Sequence, residues 1–131
     1  MTRRVSSGSA YEATIGYSRA IVAGPWVLTA GCTSTLDGAV THVDDAYGQT
    51  LEAFGVALRA LAETGAGVQD VVRTRMYVTD LSRQDDVGRA HRELFGAVRP
   101  VATMVGVAGL VHPDHLVEVE VEAYLPAGAG P

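Results

Sequence analysis

The chain has 131 residues, of which 47% are hydrophobic, and a formal net charge of −5. This length predicts one domain that can bury a core without disulfides or structural metals. The acidic balance, with no arginine run beyond Arg3 and Arg4, argues against nucleic-acid binding. We expect these two arginines to lie in a frayed terminus.

Composition also excludes several other classes. No apolar run approaches the roughly 18 residues of a membrane span, and no apolar segment of a signal peptide follows the first arginines. Cys32 is the only cysteine, so no intrachain disulfide can form, and we expect a soluble cytoplasmic protein. All ten basic residues are arginines, which excludes lysine Schiff-base and P-loop chemistry.

Two short strands are predicted near the start of the chain. They cover residues 18–23 and 26–30 and flank the turn at Gly24 and Pro25. Residues 31–42, rich in glycine and threonine, are predicted to form a loop.

A helix follows this loop. Asp44 or Asp45 is the predicted N-cap, and the helix should end near Glu63, before the sequence TGAG. Its apolar residues recur at helical spacing, which predicts one buried face. They are Ala46, Leu51, Phe54, Leu58 and Leu61.

Residues 71–79 alternate in polarity as a strand does. One face is expected to carry Val72, Thr74, Met76 and Val78. The other is expected to carry Arg73, Arg75 and Tyr77.

A second helix is predicted to start at Asp80 or Ser82 and to end at Phe95. Its inner side is expected to hold Val87, His91 and Leu94.

The last two predicted strands cover residues 101–109 and 116–125. In the final strand one face carries Val117, Val119 and Val121. The other carries Glu118, Glu120 and Glu122.

The element order ββαβαββ predicts an α+β domain in which two helices pack on one face of a mixed sheet. Residues 126–131, which consist of proline, alanine and glycine, are predicted to form a flexible tail. The valine faces should meet the helices. The opposite face would then combine the arginines and glutamates with Tyr77, Thr103 and Val105, so opposite charges can pair across the sheet. Such a half-apolar face suggests that another subunit covers it.

We find no pattern that indicates a metal or cofactor. His112 and His115 are interrupted by Pro113, so they cannot lie together on one helical face as two ligands. Cys32 has no histidine near it in sequence and is more typical of a structural thiol than of a nucleophile.

Glu120 has two interpretations. On a covered sheet face its carboxylate would be desolvated, which raises its pKa and suits it to proton transfer. Alternatively, Glu118, Glu120 and Glu122 pair with Arg73 and Arg75 as interface salt bridges.

Five segments in this order resemble the Rid family, also called YjgF-like or L-PSP proteins. They are YSRA (17–20), WVLTAGCTS (26–34), VVRTRMYVTDL (71–81), RPVATMVGV (99–107) and VEVEVEAY (117–124). The resemblance covers about residues 15–125 and implies a single domain with a chorismate-mutase-like fold. It also implies a homotrimer whose sheets form a central barrel, with small-molecule clefts between subunits. The best-known members hydrolyse imines or enamines to keto acids and ammonia without a cofactor.

The resemblance also implies site residues. Tyr17 and Glu120 match pocket positions of the known deaminases, in which the glutamate is thought to position or activate water. Ala102 stands where those enzymes carry the arginine that binds the substrate carboxylate, an interaction suited to a guanidinium. Gly106 replaces a glutamate, and Gly88 replaces an asparagine. These small residues imply a larger or less acidic substrate.

Six further positions complete the predicted site. Thr103 and the backbone of Gly31 and Cys32 are expected to hydrogen-bond the substrate. Arg73 or Arg75, as well as Arg19, could replace the missing anchor if the fold points one of them inward.

Three functions remain open: a divergent imine or enamine hydrolase, a non-catalytic metabolite-binding trimer, and a scaffold recruited to a specialised biosynthetic step. Ribonuclease activity, also associated with this family, is disfavoured by the acidic charge and by the lack of a basic, aromatic-rich face.

Overall fold

The computed structural model describes residues 2–126, which form one mixed sheet, a small hairpin and two α-helices. The strands are β1 (Thr2–Val5), β2 (Ala20–Ala23), β3 (Trp26–Thr29), β4 (Thr35–Leu36), β5 (Ala39–Val40), β6 (Val71–Val78), β7 (Val101–Gly106) and β8 (Val117–Tyr124). The helices are α1 (Ala46–Ala62) and α2 (Gln84–Phe95). The predicted α+β class is therefore confirmed.

Six strands form the main sheet in the order β1-β2-β3-β8-β6-β7. The β6–β7 pair is parallel and the other neighbours are antiparallel, which confirms the predicted mixed sheet. Strands β4 and β5 form the small hairpin, within the segment predicted to be a loop.

The core lies between one face of this sheet and the helices. Val117, Val119 and Val121 are completely buried, as are Phe54 and Leu61 of α1. The alternation of β8 thus predicted its buried face correctly, because apolar side chains at every second position of a strand share one side.

Helix α1 begins where the capping pattern predicts. The carboxylate of Asp45 accepts a hydrogen bond from the amide of Gly48 at 2.9 Å, so Asp45 rather than Asp44 is the N-cap. Among its predicted inward residues, Leu51 and Leu58 are only half-buried. The buried face is instead completed by the small residues Ala53, Ala57 and Ala60.

The predicted inward position of Val72 is wrong. An irregularity in the β6–β8 register between Val71 and Arg73 changes the alternation at this point. Val71 is buried instead, and the Val72 side chain is 39% exposed. From Arg73 onward the predicted alternation is confirmed.

The N-terminal segment also differs from the prediction. Arg3 and Arg4 lie in β1, which pairs with β2, and are not frayed. At the second helix, Asp80 caps the short turn Leu81–Arg83 that precedes α2. Apart from Pro126, the predicted flexible tail lies outside the described residues. Within the described part, no helix is long and apolar enough to cross a bilayer.

Candidate functional site

The side of the main sheet opposite the helices is uncovered in the protomer, and we call it the open face. The strand register places its central residues in three cross-strand rows. The rows are Glu122–Arg73–Val101, Glu120–Arg75–Thr103 and Glu118–Tyr77–Val105. This is the predicted mixture of charged, hydroxyl and apolar groups.

The shortest polar contacts run to a neighbouring row, and longer ion pairs run straight across the rows. The Tyr77 hydroxyl donates to Oε1 of Glu120 at 2.7 Å, and Arg75 donates to Oε2 of Glu122 at 2.5 Å. Arg75 also lies 3.7 Å from Glu120, and Arg73 lies 3.9 Å from Glu122. The predicted pairing of the two arginines with glutamates is confirmed for Glu120 and Glu122. Both arginines are thereby engaged within the protomer.

Glu118 stands apart from this network. Its row partner Tyr77 is turned to Glu120, and within residues 2–126 no side chain donates a hydrogen bond to the Glu118 carboxylate. Burial, reinforced by the like charge of Glu120, raises the pKa of Glu118, although Arg19 acts against this. The structure therefore adds Glu118 to this face as a carboxyl with a raised pKa, a residue for which the sequence predicted only a pairing role.

The Glu118 carboxylate rests on the backbone of Gly31. A methyl group added at Gly31 would lie 2.2 Å from Glu118 Oε2, so the absence of a side chain makes this contact possible. The Gly31 carbonyl accepts a 2.6 Å hydrogen bond from Arg19. The Glu118 carboxylate therefore packs on the Cα of Gly31, and Arg19 holds the carbonyl of the same residue.

Arg19 is the buried centre of this region, with only 8% of its surface exposed. Besides Gly31, it donates to the hydroxyls of Tyr17 and Ser7, at 3.3 and 3.2 Å. Because these bonds occupy its guanidinium, Arg19 is poorly placed to bind a substrate carboxylate as a forked donor. It instead fixes Tyr17 beside the open face.

The backbone of Cys32, which was predicted to bind substrate, is hydrogen-bonded to Val119 within the protomer. Its amide donates to the carbonyl of Val119, and its carbonyl accepts from the amide of the same residue, at 2.7 and 2.9 Å. The thiol is fully buried beside Arg19, and burial raises its pKa. Cys32 is therefore a structural residue in the protomer, as its sequence context suggested.

A cleft of about 510 Å³ opens beside Tyr17. Ile21 and Leu28 lie on its sheet side, and Ala13 and Gly16 belong to the π-helical turn Glu12–Gly16 above it. This turn also carries exposed Ile15. The cleft therefore combines an apolar surface with Tyr17 and the charged residues Arg4 and Glu12.

Ala102 and Gly88 lie on the other side of the sheet. Ala102 pairs in register with Thr74, which is buried and shares a 2.8 Å hydrogen bond with His91 of α2. Gly88 is also on α2, and a methyl group built there would meet nothing within 4 Å. One protomer therefore does not bring Ala102 and Gly88 together with Tyr17 and Glu120.

No group of three or more histidine, cysteine or acidic side chains that could hold a metal ion occurs in the described part of the chain. The residues that sequence reasoning left without a settled role are Glu118 and Arg19. The segment YSRA drew attention to Arg19, but no periodic signal could reveal that its guanidinium would be enclosed.

Comparison with known proteins identifies the family. The model of the family "Endoribonuclease L-PSP" matches residues 7–125. The chain is 47% identical over 122 residues to an uncharacterized protein of Streptomyces coelicolor, covering 93% of this chain and 91% of that protein. It is 31% identical over 110 residues to a RutC family protein of Pyrococcus abyssi, covering 82% and 85% of the two chains.

Two solved structures share the fold of this chain. Rv2704 from Mycobacterium tuberculosis, a member of the YjgF/YER057c/UK114 family, superimposes with a TM-score of 0.87 at 46% identity, covering 95% of this chain and 100% of that one. YyfA from Yersinia pestis, a Rid family protein of unknown function, shares the fold with a TM-score of 0.85 at 23% identity, covering 95% of this chain and 100% of that one. The chain therefore belongs to the L-PSP family, the group also known as YjgF or Rid proteins.

Proposed function

We propose that this protein hydrolyses a small, reactive imine or enamine to a carbonyl compound and an amine or ammonia, without a cofactor. The observation that carries the proposal is the position of Glu120. Its carboxylate is held by the Tyr77 hydroxyl and Arg75 on an open sheet face, close to apolar and hydroxyl side chains. A carboxylate fixed in this way can orient a water molecule toward an electrophilic carbon.

The working unit in this proposal is a homotrimer with clefts between subunits. The open face exposes apolar side chains that a partner would cover, among them Val101 at 59% and Val105 at 41% exposure. Tyr17 and Glu120 lie on one side of the sheet, and Ala102 and Gly88 on the other, so a second subunit is needed to bring the two pairs together. Light scattering on the purified protein tests this: a monomer at micromolar concentration would contradict it.

The substrate is expected to lack the carboxylate of amino-acid-derived imines. The exposed methyl group of Ala102 cannot bind an anion, and Arg73, Arg75 and Arg19 are all engaged with other groups. A charge-assisted contact of this kind typically contributes about 1.5–3 kcal/mol, and its loss also loosens substrate orientation. Hydrolysis of a neutral or cationic imine is therefore favoured.

Non-catalytic binding of a metabolite is the second candidate, and the methyl group at Ala102 is the observation that favours it. Recruitment of the same cleft to a step of specialised biosynthesis would keep the residues but change the substrate. Ribonuclease activity receives no support, because the arginines of the open face are paired with glutamates and do not form a cationic track.

The test compares wild type with Glu120→Gln on imines generated in the assay. The amide keeps the size of the side chain but removes its negative charge, so we expect kcat to fall by about 100-fold or more. Glu52→Gln is the control, because Glu52 forms a surface pair with Arg59 on α1. Turnover that survives Glu120→Gln contradicts the proposed role. An imine that binds wild type but is never converted favours the binding function.

A further inference from the structure

We propose that Glu118 carries the proton between water and the substrate nitrogen in this site, and that Arg19 is the positioning residue that holds it there. The inference rests on the proposed hydrolysis and divides the work between two carboxylates. Glu120 orients the attacking water, and Glu118 moves the proton.

The first support for the role of Glu118 is that the shortest side-chain contacts on the open face run between neighbouring rows. The shortest contacts from β6 reach a glutamate one row away: Tyr77 contacts Glu120, and Arg75 contacts Glu122. Arg73 contacts Glu122 in its own row at 3.9 Å. Glu118 lies at the end of this series, where no side chain of β6 remains to pair with it. A carboxylate without a fixed donor is free to accept and release a proton, whereas a hydrogen-bonded one is held in its charged form.

The contact with Gly31 is the second support. The carboxylate packs against a backbone position that has no side chain, which brings it close to the Gly31 carbonyl held by Arg19. Arg19 also binds the Tyr17 hydroxyl, so the same guanidinium holds both the phenol and the backbone on which the carboxylate rests. Cys32, fully buried behind Arg19, closes this region from the core side.

The electrostatics agree with this geometry. Four groups act on or respond to Glu118: Glu120 repels its charge, Arg19 attracts it, and Tyr77 and Cys32 face it as neutral acids. Burial and Glu120 outweigh Arg19, so the pKa of Glu118 is raised toward the range in which general acids and bases work.

The step balances without any other reactant. Water attacks the imine carbon, the π electrons of the C=N bond move to nitrogen, and Glu118 accepts the proton that the water loses. Glu118 returns this proton to nitrogen, which gives a neutral carbinolamine. Glu118 then takes the proton of the carbinolamine hydroxyl and passes it to nitrogen, so that the C–N bond breaks, the amine leaves and the carbonyl forms. The net reaction consumes one water and one imine and releases one carbonyl compound and one amine or ammonia.

The experiment measures kcat/KM against pH for wild type and four variants. The kcat/KM of wild type should fall at low pH, as Glu118 becomes protonated. We call this part of the pH profile the acid limb. Glu118→Gln should lower kcat by about 100-fold or more and abolish this acid limb. Glu120→Gln should lower kcat but keep the limb, moved to lower pH, because Glu118 is still present without the like charge beside it. Glu52→Gln should match wild type.

Arg19→Gln distinguishes positioning from mere structural support. Removal of the positive charge should move the acid limb to higher pH, whereas a purely structural role would lower the melting temperature without moving the limb. If Arg19→Gln does not fold, Arg19→Lys retains the charge, and we expect it to lower kcat with the limb in place.

The outcomes separate this inference from the function on which it rests. Wild-type kcat with an unchanged acid limb in Glu118→Gln overturns the role of Glu118 and leaves the hydrolysis standing. A wild type that hydrolyses no imine removes both. Loss of the limb in Glu118→Gln but not in Glu120→Gln supports the inference.

Discussion

Replacement of Gly31 by alanine tests the geometry around Glu118 most sharply. The added methyl group would lie 2.2 Å from Oε2 and 2.8 Å from Cδ of Glu118, so the carboxylate must retreat by about 1 Å or more to reach ordinary contact. The obstacle is the end of a flexible side chain, and Gly31 does not have a positive φ. Alanine is therefore compatible with the fold.

The consequences for stability and for catalysis should differ. Alanine at an unstrained glycine position reduces the entropy of the unfolded chain, so the free energy of unfolding should stay within about 1 kcal/mol of wild type. Activity should fall more, because a displacement of about 1 Å in a catalytic group can cost on the order of 100-fold.

The assay combines urea unfolding with turnover of the imine. Gly55→Ala is the matched control, since its methyl group would meet only the end of Arg59 on α1. Gly31→Ala with wild-type turnover would refute the placement of Glu118. A loss of several kcal/mol in stability would instead mean that Gly31 serves the fold.

Three further predictions concern stability. Tyr77→Phe removes the hydroxyl that binds Glu120 and should lower the free energy of unfolding by about 1 kcal/mol in urea, whereas no change would mean that water replaces the bond fully. Burial lowers the pKa of both His91 and His115 in the folded chain, so the unfolded chain binds protons more tightly. Stability should be complete above the unfolded pKa of about 6.5 and decline as the pH falls toward the folded values; melting temperatures at pH 5 and 7.5 that are equal would contradict this. Asp45→Ala removes the N-cap of α1 and should cost about 1 kcal/mol, which thermal unfolding would detect.

The sequence predicted the main elements where periodicity was strong. The valine face of β8 and the capped start of α1 follow from local pattern, and both are present. The pattern failed at Val72, because a shift of register changes which side chains point inward. It also missed β1, whose pairing with β2 joins segments separated by the turn Glu12–Gly16.

The site was harder to predict for the same reason. Alternation places Glu118, Glu120 and Glu122 on one face, but only the three-dimensional register decides which of them meets an arginine. The offset pairing leaves Glu118 without a partner, and this depends on the reach of Tyr77 and Arg75. The enclosure of Arg19 requires contacts with Ser7 and Gly31, which no local pattern records.

Substrate preference is the property that the missing anchor at Ala102 should change most. We would compare kcat/KM of wild type and Ala102→Arg on imines formed by an amine oxidase, which lack a carboxylate, and on imines formed by an amino-acid oxidase, which carry one. We expect wild type to prefer the carboxylate-free imine and Ala102→Arg to shift the preference toward the carboxylate-bearing one. A wild type that prefers the carboxylate-bearing imine would contradict this expectation, because another group would then supply the anchor that Ala102 lacks.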